Sequence, residues 1–353
     1  MRSLRIGIIG RTAYGINLCD GQTVKTRVLI EELKIMYPAA EIDIADTYSF
    51  VQKRRIRLFL NIIRCMLKDD VVFVLLSANG RKLIFPILAY MNKILKKILI
   101  HDSIGGMIGT EAMENPKLVK ELNSFTVNYV ESNTIVQELR SAGVTNAEYL
   151  PNFKRLSILN ESQLPSNHKN IKLCTFSRVC EAKGITNAIM AVRSINQKRI
   201  NSKIYLDIYG PIEERYEDEF RRLIELSKGE ISYKGVIDPS ESVDVLKDYY
   251  LLLFPTVHEG EGFPGTVIDA FHSGLPIIAT DWRLNGEIIQ NRYTGLLYDA
   301  QKPENLEEAI VYLIQNPELV SAMRKHCIEE AEKYAPERVM EIIKKRIELE
   351  LNK

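Results

Sequence analysis

The sequence predicts an α/β protein of two doubly wound domains, each a parallel sheet with helices on both faces. Three observations carry that prediction. Short apolar runs alternate with amphipathic stretches almost from end to end. The alternation pauses once, at a polar stretch, and then restarts. The chain is 353 residues long, which suits two domains of ordinary size better than one.

In the first half LRIGIIG, EIDIAD, VVFVLL, KILIHD, TVNYVES and AEYLP read as strands, with helical patterns such as TVKTRVLIEELKIMY and NTIVQELRSAG between most of them. Residues 151–170 are polar, hold Pro165 with Asn152, Asn160, Asn167 and Asn170, and read as a linker. Beyond them IKLCTFS, IYLDIYG, ISYKG, YYLLLFP, LPIIATD and TGLLYD restart the strand pattern. The expected boundaries are 1–160 and 161–335. An amphipathic helix over 336–353, opened by Pro336, then packs back on the first domain.

Composition narrows the function classes. With 46% hydrophobic and 26% charged residues the chain is globular, and it has no uninterrupted apolar run long enough to span a membrane. Cys19, Cys65, Cys174, Cys180 and Cys327 form no C-x-x-C pair, which argues against a zinc site and a disulfide framework and for a reducing compartment. The opening MRSLRIGIIGRT runs straight into a strand pattern, so no secretory signal is expected and the location expected is cytoplasmic. Residues 1–152 carry 20 Lys/Arg against 15 Asp/Glu, leaving 27 against 31 for the rest. Neither half is basic enough to suggest nucleic acid.

The chemistry concentrates in YYLLLFPTVHEGEGFPGTVIDAFHSGLPIIATD. Pro255 ends an apolar strand, and the loop 256–265 sets Glu259 and Glu261 among Gly260, Gly262 and Gly265. A helix is expected over about 266–273, stopped by Gly274 and Pro276. Glycines let a backbone approach a ligand, free N–H groups at a helix start can hold a phosphate, and carboxylates accept from vicinal sugar hydroxyls. Asp269, in the first turn or so, is placed to share that ligand with Glu261. The plainer reading makes Glu261 an exposed loop acid and Asp269 a helix-dipole residue, stabilising by about 0.3–1 kcal/mol without any ligand.

Glu261-Gly262-Phe263-Pro264, Asp269 eight residues after Glu261, Ala270, and then Gly274-Leu275-Pro276 resemble the E-G-F-x…E-A-x-x-x-G-x-P signature of family 4 glycosyltransferases. The resemblance covers most of the second half. It implies two Rossmann-like domains facing across a cleft (the GT-B arrangement), the first on the acceptor side and the second binding a nucleotide-diphosphate sugar. It also implies retaining hexosyl transfer without a metal or other cofactor. Carried over, Glu261 meets the donor sugar and Asp269 the ribose, with Gly262, Phe263, Pro264, Gly265 and Thr266 around the donor. Asp269 departs from the family's usual Glu, keeping the charge and losing one methylene of reach.

In IKLCTFSRVCEAKG, Arg178 follows a strand and Lys183 precedes a helix expected from about Ile185. Two cations there suit a diphosphate, each charge-assisted hydrogen bond contributing about 1.5–3 kcal/mol when shielded. The stretch also resembles the family's S-R-x…x-K-G signature, whose cations neutralise the leaving diphosphate. The plainer reading is that Lys183 and Glu181 are solvated loop charges. Tyr209-Gly210 and Asn285-Gly286-Glu287 beyond Trp282 also fit the family pattern.

The first half is less explicit. Gly10, Gly15 and Gly21 surround a loop that is neither G-x-G-x-x-G nor a Walker loop. The resemblance brings Gly21 and Gln22 near the donor phosphates, whereas the plainer reading is a strand-to-helix turn capped by Thr23. His101, at the end of KILIHD, matches a family histidine facing the transferred sugar and joins Glu261 as a catalytic candidate. Its alternative is a partly buried imidazole bonded to Asp102. No side-chain nucleophile is evident, and His258 has no assigned role.

KRRIRLFLNIIRCMLK (53–68) and RKLIFPILAYMNKILKK (81–97) mix apolar and basic residues at helical spacing without an acid. They read as core-facing helices with a solvated basic face, or as docking elements for the inner face of an anionic membrane. Pro86 argues against one continuous helix in the second.

The expected function is transfer of a sugar to a glycan or lipid-linked acceptor in cell-surface polysaccharide assembly. Its rivals are a sugar-nucleotide 2-epimerase and an inactive nucleotide-sugar-binding assembly subunit. Arg178, Lys183, Glu261 and Asp269 together argue against the latter.

Overall fold

A computed structural model describes residues 3–16, 18, 20–165, 171–198, 203–227 and 229–353. It divides into two compact units, residues 1–154 with 336–353, and residues 155–335.

Unit one is a six-stranded parallel sheet in the order β2-β1-β3-β4-β5-β6. Its strands are β1 (Arg5–Gly10), β2 (Glu41–Asp46), β3 (Val71–Leu75), β4 (Ile98–Asp102), β5 (Val127–Val130) and β6 (Ala147–Tyr149). The connections carry α1 (Gly21–Met36), α2 (Arg55–Lys68), α3 (Ala78–Leu95), α4 (Ile108–Glu114), α5 (Pro116–Leu122) and α6 (Asn133–Ser141). Each strand lies where the sequence predicts one; the inner strands are apolar runs because parallel strands covered on both faces must be apolar on both faces, whereas the edge strands β2 and β6 carry Glu41, Asp43 and Glu148.

Unit two repeats the plan in the order β12-β11-β10-β7-β8-β9. Its strands are β7 (Ile171–Phe176), β8 (Ile204–Tyr209), β9 (Ile231–Gly235), β10 (Leu251–Phe254), β11 (Ile277–Thr280) and β12 (Gly295–Tyr298). Between and after them come α7 (Ile185–Lys198), α8 (Glu217–Leu226), α9 (Ser242–Leu246), α10 (Gly265–His272), α11 (Asn285–Ile288), α12 (Asn305–Gln315) and α13 (Pro317–Ala331). The chain then returns to unit one as α14 (Pro336–Leu351). There Val339, Met340, Ile343 and Ile347 join Ile6, Ile8 and Phe73 of the sheet and Leu29 and Leu33 of α1 in one core. Each such side chain contributes about 1.5–3 kcal/mol by burial, which ties the C-terminal segment to the first sheet.

Three expectations change. The chain passes between units at Lys154 and Arg155 rather than at residue 160. Most of the expected linker is ordered on unit two, where Leu159 N–H donates to the His272 carbonyl at 3.0 Å and Lys325 pairs with Glu161 at 3.0 Å. Residues 166–170 of that linker, and Cys19, lie outside the described residues. Finally, α3 is continuous through Pro86. The missing N–H deprives only the carbonyl of exposed Lys82, while Ile84, Phe85, Leu88 and Ala89 are buried on the other side.

Candidate functional site

Doubly wound sheets offer ligands a crevice beyond the carboxyl ends of two neighbouring strands whose connections leave in opposite directions. In unit two those strands are β7 and β10. The basic stretch follows the first and the acidic loop follows the second.

After β7 the chain makes a single tight turn over Glu181–Lys183 and reaches Gly184 at φ 68°. A Cβ on Gly184 would stand 2.1 Å from the Pro255 carbonyl oxygen, so glycine is what lets the two loops touch. Val257 N–H donates to the Ala182 carbonyl at 2.9 Å. On its far side the acidic loop is held from the end of β11. Thr280 Oγ1 donates to the Thr256 carbonyl at 2.5 Å and Trp282 Nε1 to the His258 carbonyl at 3.1 Å.

This stitching brings together residues 78 apart in sequence. Lys183 Nζ lies 2.5 Å from Glu261 Oε2, and Thr256 Oγ1 donates to the same oxygen at 2.8 Å. Both charged side chains are about nine-tenths buried, so neither is the solvated loop charge of the plainer reading. Glu181 and Glu259 are exposed. Lys183 also sits 5.4 Å from the Phe254 ring centre. An ammonium carries three donors, so the ion pair leaves Lys183 able to meet a phosphate. Oε1 of Glu261 takes no hydrogen bond from the described residues.

Helix α10 starts at the same place, with Pro264 as its N-cap. Thr266 Oγ1 donates to the Phe176 carbonyl at 2.5 Å, fixing the helix start against the end of β7. The first N–H groups of a helix have no intrahelical acceptor, and Gly265 and Thr266 open α10 directly after the loop that holds Glu261. The helix stops at Gly274, φ 56°. Gly274 N–H bonds the Phe271 carbonyl and Leu275 N–H that of Ala270, at 3.0 and 2.8 Å. Phe263 packs edge-on against Tyr334, ring centres 5.0 Å apart, and with buried Gly262 and Pro264 it shapes the loop from beneath.

Arg178 stays half-exposed, its Nη1 4.0 Å from Glu213 Oε2. His258 is part-buried, and burial followed by the Lys183 charge pushes its imidazole below the ordinary value. It is therefore neutral at neutral pH.

Asp269 departs from expectation. It is the fifth residue of α10, in the second turn, and it is buried. Its Oδ1 accepts from Ser242 Oγ at 2.8 Å, and Ser242, the first residue of α9, is buried as well. Asp269 is thus neither an exposed dipole residue nor aligned with the helix start. Thr280, Trp282 and Ser242 had no role in the sequence reading because no local spacing marks a hydroxyl or indole that acts on a distant segment, and Thr256, five residues before Glu261 in the same loop, had none either.

In unit one Gly21 opens α1, and Gln22 spends its amide on the Leu75 carbonyl at 3.0 Å. The cap is Asp20, not Thr23, which donates to it through both N–H and hydroxyl. His101 is corrected on two counts. Its ring is fully buried, edge-on to Phe85 and beside Phe125, and Nδ1 bonds Asn128 Oδ1 at 3.1 Å rather than Asp102. Asp102 instead meets buried Lys25 at 2.6 Å, and Lys25 also meets Glu131 at 2.7 Å.

Burial, and then the Arg81 charge, lower the His101 imidazole from 6.5 to about 3. Below pH 6.5 the unfolded chain gains a proton that the folded chain refuses until about pH 3. Stability linked to His101 is therefore present above 6.5 and lost on acidification through that window. Urea unfolding of the wild type and His101→Phe across that range should show a smaller acid loss in the variant. Parallel curves would mean that another group carries the acid sensitivity.

Among the described residues no cluster of three or more His, Cys, Asp or Glu is placed to hold a metal.

Residues 158–334 match the family model described as glycosyl transferases group 1. An uncharacterized glycosyltransferase of Methanocaldococcus jannaschii is 26% identical over 225 residues, 62% of this chain and 53% of that protein. An N,N'-diacetylbacillosaminyl-diphospho-undecaprenol alpha-1,3-N-acetylgalactosaminyltransferase of Campylobacter jejuni is 28% identical over 109 residues, 31% of this chain and 28% of that protein. The matched chain thus spans about half, or less, of these curated relatives. Among solved structures, Anabaena HepE in complex with UDP-glucose superposes with a TM-score of 0.74 over 98% of this chain and 99% of that one. At 12% identity that likeness concerns the fold, two Rossmann-like domains of the GT-B type.

Proposed function

The chain belongs to the group 1 glycosyl transferases, and from that premise we propose that it binds a nucleotide-diphosphate sugar at the β7/β10 crevice and transfers the sugar with retention. The observation that carries this reading is the Lys183–Glu261 pair, assembled at the switch point beside the start of α10. It puts a phosphate-binding cation and a hydroxyl-binding carboxylate within reach of one molecule.

In the proposed reaction the bond between the anomeric carbon and the diphosphate oxygen breaks as the acceptor hydroxyl oxygen attacks from the same face. The acceptor proton passes to the departing phosphate. Lys183, Arg178 and the N–H groups of Gly265 and Thr266 stabilise the charge that develops on the diphosphate. Glu261, through Oε1, orients the sugar by accepting from its hydroxyls, and Asp269 with Ser242 faces the ribose. No metal enters this scheme. The family 4 signature supports retention, and UDP-glucose in the HepE complex supports a uridine nucleotide. The lipid-linked acceptor implied by the name of the Campylobacter relative supports a lipid-linked or glycan acceptor.

Incubating the chain with UDP-glucose or UDP-N-acetylglucosamine, alone and with lipid-linked glycans, tests the reading by NMR. The expected result is release of UDP that an acceptor accelerates, with the donor's anomeric configuration kept in the product. A sugar altered while still attached to its nucleotide would make the protein an epimerase. Binding without turnover under any acceptor would make it an assembly subunit.

A further inference from the structure

Helix α2 has two apolar faces. Leu58, Ile62, Cys65 and Met66 are buried against the sheet. Ile56, Leu60, Ile63 and Leu67 repeat at helical spacing on the other side, with Ile56 78% and Leu60 60% exposed. A solvated basic face opposite the core, the ordinary arrangement, does not put four large aliphatic side chains in water.

Helix α3 packs beside α2 and repeats the pattern. The crossovers from β2 to β3 and from β3 to β4 run the same way across the sheet, and right-handed connections put both helices on one face. Leu83, Tyr90 and Ile94 recur on the solvent side of α3, with Tyr90 69% and Ile94 70% exposed. Arg57 and Lys68 flank the α2 stripe, together with Arg64, which already meets Asp43 at 2.9 Å, and Lys82 and Lys93 flank that of α3. Residues 53–97 carry eleven Lys/Arg, and their only acids are Asp69 and Asp70. Leu67, the last residue of the α2 stripe, borders an open depression of about 460 Å³ lined also by Arg5, Lys68, Asp70 and Lys97.

We propose that the joined outer faces of α2 and α3 dock unit one onto an anionic lipid bilayer, the two helices lying in the plane of the interface. The aliphatic stripes enter the boundary between headgroups and acyl chains, and the flanking cations meet lipid phosphates. Among the described residues no helix is long and apolar enough to cross a membrane, so the contact is one of surface and not of span. Charge favours a bilayer over a second copy of this chain. A two-fold contact sets a patch against itself, and here it would set cation against cation, since the eleven Lys/Arg of residues 53–97 face only Asp69 and Asp70.

Vesicle flotation tests this without any nucleotide sugar, so its outcome is separate from that of the donor site. The full chain should float at low salt with phosphatidylcholine vesicles containing phosphatidylglycerol and stay behind with phosphatidylcholine alone. Ile56→Ser/Leu60→Ser and Arg57→Glu/Lys93→Glu change exposed positions, and each should weaken partitioning about tenfold or more. Unchanged melting and unchanged UDP binding would show that the variants still fold. No flotation of the wild type on anionic vesicles would overturn the proposal. So would variants that float equally well, or variants that break a wild-type dimer seen by light scattering and leave flotation intact.

Discussion

Lys183→Ala is expected to lower turnover with the authentic donor about 100- to 1000-fold, the usual cost of removing one preorganised group that stabilises charge on the reacting centre. UDP affinity should fall less, about ten- to hundredfold, since a charge-assisted hydrogen bond contributes about 1.5–3 kcal/mol to binding. The substitution also strands Glu261, leaving Thr256 Oγ1 as the donor to its buried Oε2. Part of any loss could therefore come from a loosened loop, and a second substitution separates the two causes. Lys183→Ala/Glu261→Gln removes the unpaired charge, so amide protection of the loop should recover, while affinity for UDP, which lacks the sugar that Glu261 meets, should stay as low as in Lys183→Ala. Full activity of Lys183→Ala would refute the diphosphate role.

Lys25→Met is expected to destabilise unit one by about 3–5 kcal/mol, the range for breaking a buried ion pair by removing one partner. Lys25 lies between Asp102 and Glu131 at 2.6 and 2.7 Å and also donates to the Ser103 carbonyl at 3.1 Å. Burial alone would push its ammonium down, but the two carboxylates overcome burial and hold it above the ordinary value. Burial raises the Asp102 carboxyl in spite of Lys25. With the cation gone, two buried carboxylates face each other, and one must take up a proton or the site must open. Two units make a single melting midpoint ill defined, so hydrogen exchange of β4 and β5 amides is the measurement to use. Lys25→Met/Asp102→Asn/Glu131→Gln should regain much of the lost protection. Equal exchange in wild type and Lys25→Met would show that the triad contributes little.

The strands were legible because parallel strands buried on both faces leave uninterrupted apolar runs, as in VVFVLL and YYLLLFP. Glu261 and Lys183 were legible as candidates, since glycine-rich loops after strands and before helices are local signals. Their ion pair was not, because it depends on β10 lying next to β7 and on Gly184 admitting the Pro255 carbonyl. Asp269 lies one position deeper in its helix than expected, because α10 starts at Gly265 and not at Thr266. His101 was read at the tip of its strand, yet its partner Asn128 lies on β5, 27 residues away. The outer face of α2 is the converse case. Periodicity marked α2 as a helix mixing apolar and basic residues, but only the position of the sheet shows a second apolar stripe on the side away from the core.

The central claim is that a nucleoside diphosphate sits where β7 and β10 part, and a structure of the chain with UDP bound tests it most directly. The predicted complex has the diphosphate within hydrogen-bond distance of Lys183 Nζ and of the Gly265 and Thr266 N–H groups, with Arg178 alongside. A diphosphate bound elsewhere, with Lys183 still occupied by Glu261 alone, would contradict it.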